Sequence, residues 1–316
     1  MKLFEASACA KIILAGEHAA VYGYPVIAYP LSALRATVTV VESSYGSGVT
    51  IVAPDLSEQW HLAHLEHHTD SPLVGLVVNM FRVAGLQVLP DVEIIITSDI
   101  PVASGLGSGA AVSVALVRAF SGYFALSLSD SEVNDIVYEQ EKFYHGTPSG
   151  VDNTVIANEH SVYFVRGSPV RFLEFGLQAP FLVIDSGIAA STSAAVRSVR
   201  DRYLAFESSY FGDLVDALLC DVVFALDRSD FVGLGALFVQ NHVLLHSVGV
   251  SLAQLDRIVF CLLEYGCYGV KLSGGGCGGN LIAVIDTDIL ENLVHVLGNV
   301  GRYSIYFSND YEKFSG

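Results

Sequence analysis

The chain alternates between stretches with a strand period and stretches with a helix period. Residues 35–42 (RATVTVVE) alternate polar and apolar positions, and residues 3–14, 26–28, 49–53, 91–97 and 161–166 carry β-branched or apolar runs bounded by turn residues. These predict strands, as do residues 170–175, 181–185, 269–273 and 280–285 further on. Helical periodicity appears over residues 72–84, where Ser71 is placed to cap and Pro72 to occupy the first helical position. It returns over residues 110–124, and over 129–142 behind the capping box Ser129-x-x-Glu132. Further helices are predicted over residues 190–206, 214–226 and 232–245, and a last one, capped by Ser251-x-x-Gln254, runs to Gly266. Residues 17–22 read as a short helix or turn. There is no internal repeat and no low-complexity linker. Gly167-Ser168-Pro169 is the strongest break, which divides the chain into residues 1–167 and 168–316. Strands with helices interspersed in both halves predict two α+β domains.

Composition narrows the partners. Apolar residues make up 52% of the 316, ample for a core, while charged residues are only 16% and the net charge is −17. Such a chain is a poor ligand for nucleic acid or an anionic membrane, and an anionic substrate must be held by local donors. Five scattered cysteines without C-x-x-C spacing predict reduced thiols in a cytoplasm. Glu5 and Lys11 interrupt the N-terminal apolar run, so it does not read as a signal peptide. The longest apolar window, residues 73–88, is broken by Asn79, Arg82 and Gln87, and no membrane span is predicted.

Four stretches carry candidate chemistry. Residues 101–113 (PVASGLGSGAAVS) form a glycine-rich turn between a strand and a helix. Gly105, Gly107 and Gly109 allow backbone N–H groups to converge, and the helix start adds unpaired N–H groups and the positive end of its dipole. That suits a polyphosphate, although no Gly-Lys-Ser/Thr follows as in a P-loop. Residues 11–23 (KIILAGEHAAVYG) place Lys11 six residues before Glu17 and next to a turn with His18. Residues 141–154 (EKFYHGTPSGVDNT) place Glu141 and Asp152 on either side of a sharp turn, suited to holding Mg²⁺ and accepting a proton. Residues 271–280 (KLSGGGCGGN) form a second glycine-rich loop. Singly, each stretch reads equally well as a structural turn. Together they suggest phosphoryl transfer, in which positioning and charge stabilisation dominate. A histidine-rich segment, with His61, His64, His67 and His68, could place two imidazoles on one helix face. It lacks a second ligand cluster and reads as a solvated segment.

The sequence resembles the GHMP kinases: all three motifs of that family occur in order and span nearly the whole chain. KIILAGEHAAVYG and HGTPSGVDN are most similar to the branch that phosphorylates the C5 hydroxyl of (R)-mevalonate. The resemblance implies a GHMP kinase fold: an ATP-binding N-terminal domain like ribosomal protein S5 domain 2, followed by a ferredoxin-like domain. It implies ATP and Mg²⁺ as cofactors and mevalonate as partner, in isoprenoid synthesis, and leaves a homodimer open. Carried over by position, Asp152 becomes the general base and Lys11 the cation that steadies the attacking alcohol. Glu17 and His18, with Thr192 in DSGIAASTSAAV, become substrate contacts, and Glu141 the Mg²⁺ ligand. Pro101, Ala103, Ser104, Gly105, Leu106, Gly107, Ser108, Gly109 and Ala110 wrap the ATP phosphates, and the loop from Gly274 to Gly279 braces them. One departure stands out. The family's G-L-G-S-S-A has a second serine that supplies a hydroxyl to Mg²⁺, and Gly109 stands there, leaving Ser108 alone. Rival readings are a kinase of the same scaffold acting at the C3 hydroxyl or on phosphomevalonate, or a kinase-like sensor without turnover.

Overall fold

A computed structural model describes residues 2–62, 71–102, 104–145, 148–174, 181–188, 199, 210–290, 292–293, 304–307 and 314–315. The chain divides into two units that interleave along the sequence. The first comprises Met1–Ala10, Leu34–Pro101 and Gly107–Glu159; the second comprises Lys11–Ala33, Val102–Leu106 and His160–Gly316. Two long strands, β1 (Leu3–Ala15) and β2 (Val26–Glu42), contribute to both.

In the first unit the Ala36–Glu42 part of β2 pairs antiparallel with β5 (Val92–Ser98), in the register Ala36↔Ser98 to Glu42↔Val92. β5 runs parallel to β3 (Val49–Ala53), which pairs antiparallel with β4 (Glu58–Leu62). The polar–apolar alternation of β2 is realised as alternating burial, with Val38 and Val40 inside. Among the described residues this unit carries the α-helices α1 (Pro72–Val83), α2 (Ser108–Tyr123), α3 (Asp130–His145) and α4 (Val151–Asn158). Ser71 Oγ accepts the Val74 N–H at the start of α1, and Ser129 with Glu132 forms the reciprocal capping box before α3. Phe81 of α1 and Phe120 of α2 meet with ring centroids 5.1 Å apart, fixing those two helices. Arg118 of α2 pins both later helices, donating to Asp130 at the start of α3 and to Ala157 O and Glu159 at the end of α4.

In the second unit, β8 (Phe181–Asp185), β9 (Gly269–Ser273), β10 (Asn280–Val284), β11 (Ser304–Phe307) and β12 (Phe314–Ser315) form a sheet in the order β12-β11-β8-β10-β9. The Val26–Ala28 part of β2 pairs with β6 (Val162–Phe164), which pairs with β7 (Arg171–Phe172). Helices α5 (Tyr210–Asp227), α6 (Phe231–Ser247) and α7 (Ala253–Glu264) complete the described part. α6 closes on β9 through a glycine pair: a Cβ on Gly269 would lie 1.9 Å from the Gly235 carbonyl oxygen. The core between helices and sheet is aliphatic, with Leu245, Leu255, Leu262, Val270, Leu272 and Leu281 buried.

The architecture is α+β, with several departures from the expected elements, among them β11 and β12, which lie beyond the last predicted strand. β2 is one strand of 17 residues, where two short strands were expected on either side of Pro30 and Ser32. β4 occupies the start of the histidine-rich segment, with Thr50 Oγ1 and His61 Nδ1 paired across β3 and β4 at 3.1 Å. α7 is not capped by Ser251, whose hydroxyl instead donates to Asp256 at 2.5 Å. The helix expected over residues 190–206 lies outside the described residues, apart from residue 199. No helix among them is long and apolar enough to cross a membrane.

Candidate active site

The second unit assembles three of the motif stretches. Lys11 lies near the end of β1 and is 3% exposed, and its N–H donates to the Leu106 carbonyl at 3.0 Å. Two residues on, Ile13 is held by Ser273 at the end of β9: the Ile13 N–H donates to Ser273 Oγ, which donates back to the Ile13 carbonyl, both at 3.0 Å. β1 then turns sharply at Gly16, where the backbone is left-handed and a Cβ would lie 2.5 Å from the Pro25 carbonyl. Glu17 and His18 follow on this turn.

Glu17 is buried, and its carboxylate is ion-paired with the equally buried ammonium of Lys271. Lys271 also reaches the Ile13 carbonyl at 3.4 Å and sits 5.7 Å from the Phe238 ring centroid. Burial pushes the Glu17 carboxyl up and the Lys271 ammonium down, while the charge of each pulls the other back toward ionisation. Lys271, on β9, is therefore the internal counterion of Glu17. His18 has a positive φ of 63°, unusual for a residue with a Cβ. Its Nε2–H donates to the Gly275 carbonyl at 3.0 Å, which fixes the tautomer and leaves Nδ1 as the acceptor. Burial lowers its pKa to about 4, so the ring is neutral at pH 7.

The loop between β9 and β10 is the hub of these contacts. Gly274, Gly276, Cys277, Gly278 and Gly279 all have positive φ, a run that needs glycine at most of its positions. The Cys277 N–H is spent on Val250 O and the Gly279 N–H on Ile188 O, so the loop is anchored. Asn280, 1% exposed, donates Nδ2–H to the Ser104 carbonyl at 2.6 Å. A Cβ on Gly274 would lie 3.5 Å from the Gly105 carbonyl oxygen. The second glycine loop therefore lies beside residues 104 and 105 of the first and is bonded to Ser104 through Asn280. Asn280 carries the bond to Ser104 and Ser273 the bonds to Ile13; only their position beside the glycines hinted at either.

The first unit holds the remaining groups. Gly107 is left-handed and accepts the Ala111 N–H at the start of α2. Ser108 is half-buried, Gly109 exposed and Ala110 buried. Nothing lies within 4 Å of a Cβ built on Gly109. Glu141 is half-buried in the last turns of α3, and Asp152 is half-buried at the second position of α4. Pro101 closes this unit's central segment and is half-buried. Ala103 and Thr192 lie outside the described residues. Among the described residues no group of three or more His, Cys, Asp or Glu gathers to hold a metal. A carboxylate such as Glu141 suits Mg²⁺, which is held by one or two carboxylates, substrate phosphates and water.

Comparison with known proteins gives a consistent picture. The GHMP kinases N-terminal domain matches residues 73–158 and the GHMP kinases C-terminal domain residues 223–302. The chain is 35% identical over 300 residues to the mevalonate kinase of Pyrococcus abyssi, covering 90% of this chain and 89% of that protein. It is 33% identical over 303 residues to the mevalonate kinase of Pyrococcus horikoshii, with the same coverage. The crystal structure of Methanococcus jannaschii mevalonate kinase shares the fold, with a TM-score of 0.85 over 96% of both chains at 24% identity. The L. major mevalonate kinase in complex with R-mevalonate has a TM-score of 0.77 at 26% identity, covering 94% of this chain and 91% of that one.

Proposed function

The chain belongs to the GHMP kinases, and we propose that it transfers the γ-phosphoryl group of ATP to the C5 hydroxyl of (R)-mevalonate. The observation that carries this reading is the likeness to mevalonate kinases over nine-tenths of the chain, at 35% identity to the Pyrococcus abyssi protein. Supporting it, the chain has only five lysines, and one of them, Lys271, is committed to an internal carboxylate. A lysine-poor site favours an acceptor without a phosphate of its own.

In this reading Asp152 accepts the proton of the C5 hydroxyl, whose oxygen attacks the γ-phosphorus as the bond to the ADP oxygen breaks. Lys11 lowers the cost of negative charge on the attacking oxygen. Ser104 to Ala110 present backbone N–H groups and the start of α2 to the phosphates, in the manner of helix N-termini that bind anions. His18, neutral and fixed in one tautomer, offers Nδ1 as an acceptor for a substrate hydroxyl, and Thr192 completes the substrate contacts. Glu17 acts through Lys271 and the turn it stabilises. Glu141 would hold Mg²⁺, with water in place of the hydroxyl that Gly109 lacks, and the ion would neutralise phosphate charge. The reading extends to a cytoplasmic setting, supported by five cysteines that are all free thiols.

The test is the position of the phosphate in the product. Proton-coupled ³¹P NMR of mevalonate turned over with MgATP is expected to give a phosphate signal split by the two C5 methylene protons. An unsplit signal would place the phosphate on the tertiary C3 oxygen and overturn the assignment.

A further inference from the structure

We propose that Asn134 is a positioning residue that sets the aim of Asp152. The inference rests on the reading of Asp152 as the base. Asn134 lies on α3, half-buried, two turns before Glu141 and on nearly the same face, since seven residues advance an α-helix by about 10.5 Å and return to within about 20° of the starting direction. Its Oδ1 accepts a hydrogen bond from Asn153 Nδ2–H at 2.7 Å. Asn153 follows Asp152 on α4 and is 1% exposed.

Successive helical residues point about 100° apart. With Asn153 turned inward, Asp152 is left half-buried on the flank of α4. The far end of α4 is already pinned by Arg118, through Ala157 O and Glu159. The Asn134 bond holds the end that carries Asp152. A roll of α4 by about 10° would move a carboxylate at the helix's outer radius of about 5–6 Å by about 1 Å. That roll would also break the Asn134–Asn153 bond. A misplacement of this size can cost up to about a hundredfold in rate.

The pair is a poor device for stability alone. A neutral amide bond contributes little net, and an apolar pair of the same shape can serve as well. Here Asn153 Oδ1 is also buried with no partner among the described residues, a cost an apolar pair would avoid. What the pair supplies is direction. Asn134 lies outside the HGTPSGVDN motif, and only the fold reveals it as the partner of a motif residue.

The test is a double-mutant cycle of Asn134→Ala and Asp152→Asn, with kcat, KM for both substrates, melting temperature and calorimetric ADP affinity measured on each protein. Asn134→Ala is expected to lower kcat by about 10- to 100-fold, with ADP affinity and KM for ATP unchanged. Adding it to Asp152→Asn should cost nothing further, because its effect runs through that carboxylate. Asn134→Asp keeps the acceptor oxygen and is expected to restore most of kcat. A folded Asn134→Ala enzyme with wild-type kcat, or a loss that adds in full to that of Asp152→Asn, would overturn the proposal. If Asn134→Ala fails to fold, Asn134→Asp decides, since low kcat at a wild-type melting temperature would equally overturn it. Should Asp152→Asn itself retain turnover, the assignment of the base fails instead, and the cycle separates the two.

Discussion

Lys271 of β9 and Glu17 of the turn after β1 are 254 residues apart in sequence and form an ion pair with no solvent exposure on either side chain. The pair joins the strand that leads into the second glycine loop to the turn that carries His18. Two bonds beside it, Ser273 to Ile13 and His18 to Gly275, make the same join from either side.

Breaking this pair from one side is costly, because the remaining charge stays buried without a partner. Lys271→Met is expected to destabilise the protein by about 3–5 kcal/mol in chemical denaturation. The double variant Glu17→Gln with Lys271→Met removes both charges and should recover most of that loss. Equal destabilisation in the single and double variants would contradict the pairing.

The pH dependence of stability follows from His18. Its pKa falls from 6.5 in the unfolded chain to about 4 in the folded one, so the unfolded state binds more protons between those values. Stability contributed by the neutral ring is present above pH 6.5 and is lost as pH falls toward 4. The full window is worth about 3 kcal/mol. His242, also lowered by burial, acts in the same direction. Denaturation midpoints of wild type and His18→Gln across pH 4–7 check this. The wild type should lose more stability toward acid, and identical slopes would contradict the buried, neutral assignment.

Much of this arrangement was legible in the sequence because it depends on local rules. The capping box at Ser129, the Ser71 cap and the glycine turns obey short-range chemistry and appear where expected. The inward aim of Lys271 was not legible, because β9 is buried on both faces and its period gives no sign of which side is wet. Asn134 was equally silent, since its partner is set by how α3 and α4 pack and not by spacing. β2 continues through Pro30 because its central part carries paired segments at both ends, a tertiary effect that overrides the local break.

Gly109 yields a prediction about Mg²⁺. It follows Ser108 at the start of α2, about 100° away around the helix, so Ser108 cannot stand in for the absent hydroxyl. We expect water to take that position, with Glu141 as the direct protein ligand. Glu141→Gln should raise the half-saturating Mg²⁺ concentration at least about tenfold, and Ser108→Ala should change it only mildly. Gly109→Ser should lower it, since a Cβ built there has room, with nothing within 4 Å outside its own stretch of helix. The Mg²⁺ dependence of kcat in the three variants is the measurement. Impairment of Ser108→Ala equal to that of Glu141→Gln would make Ser108 the ligand.

A coupled assay of ADP release decides the identity of the acceptor. Wild-type protein with MgATP would be offered (R)-mevalonate, phosphomevalonate, homoserine and galactose in turn. Mevalonate is expected to be preferred in kcat/KM by at least about a hundredfold over each of the others. A preference for phosphomevalonate or galactose, or ADP release no faster with mevalonate than without any acceptor, would contradict it.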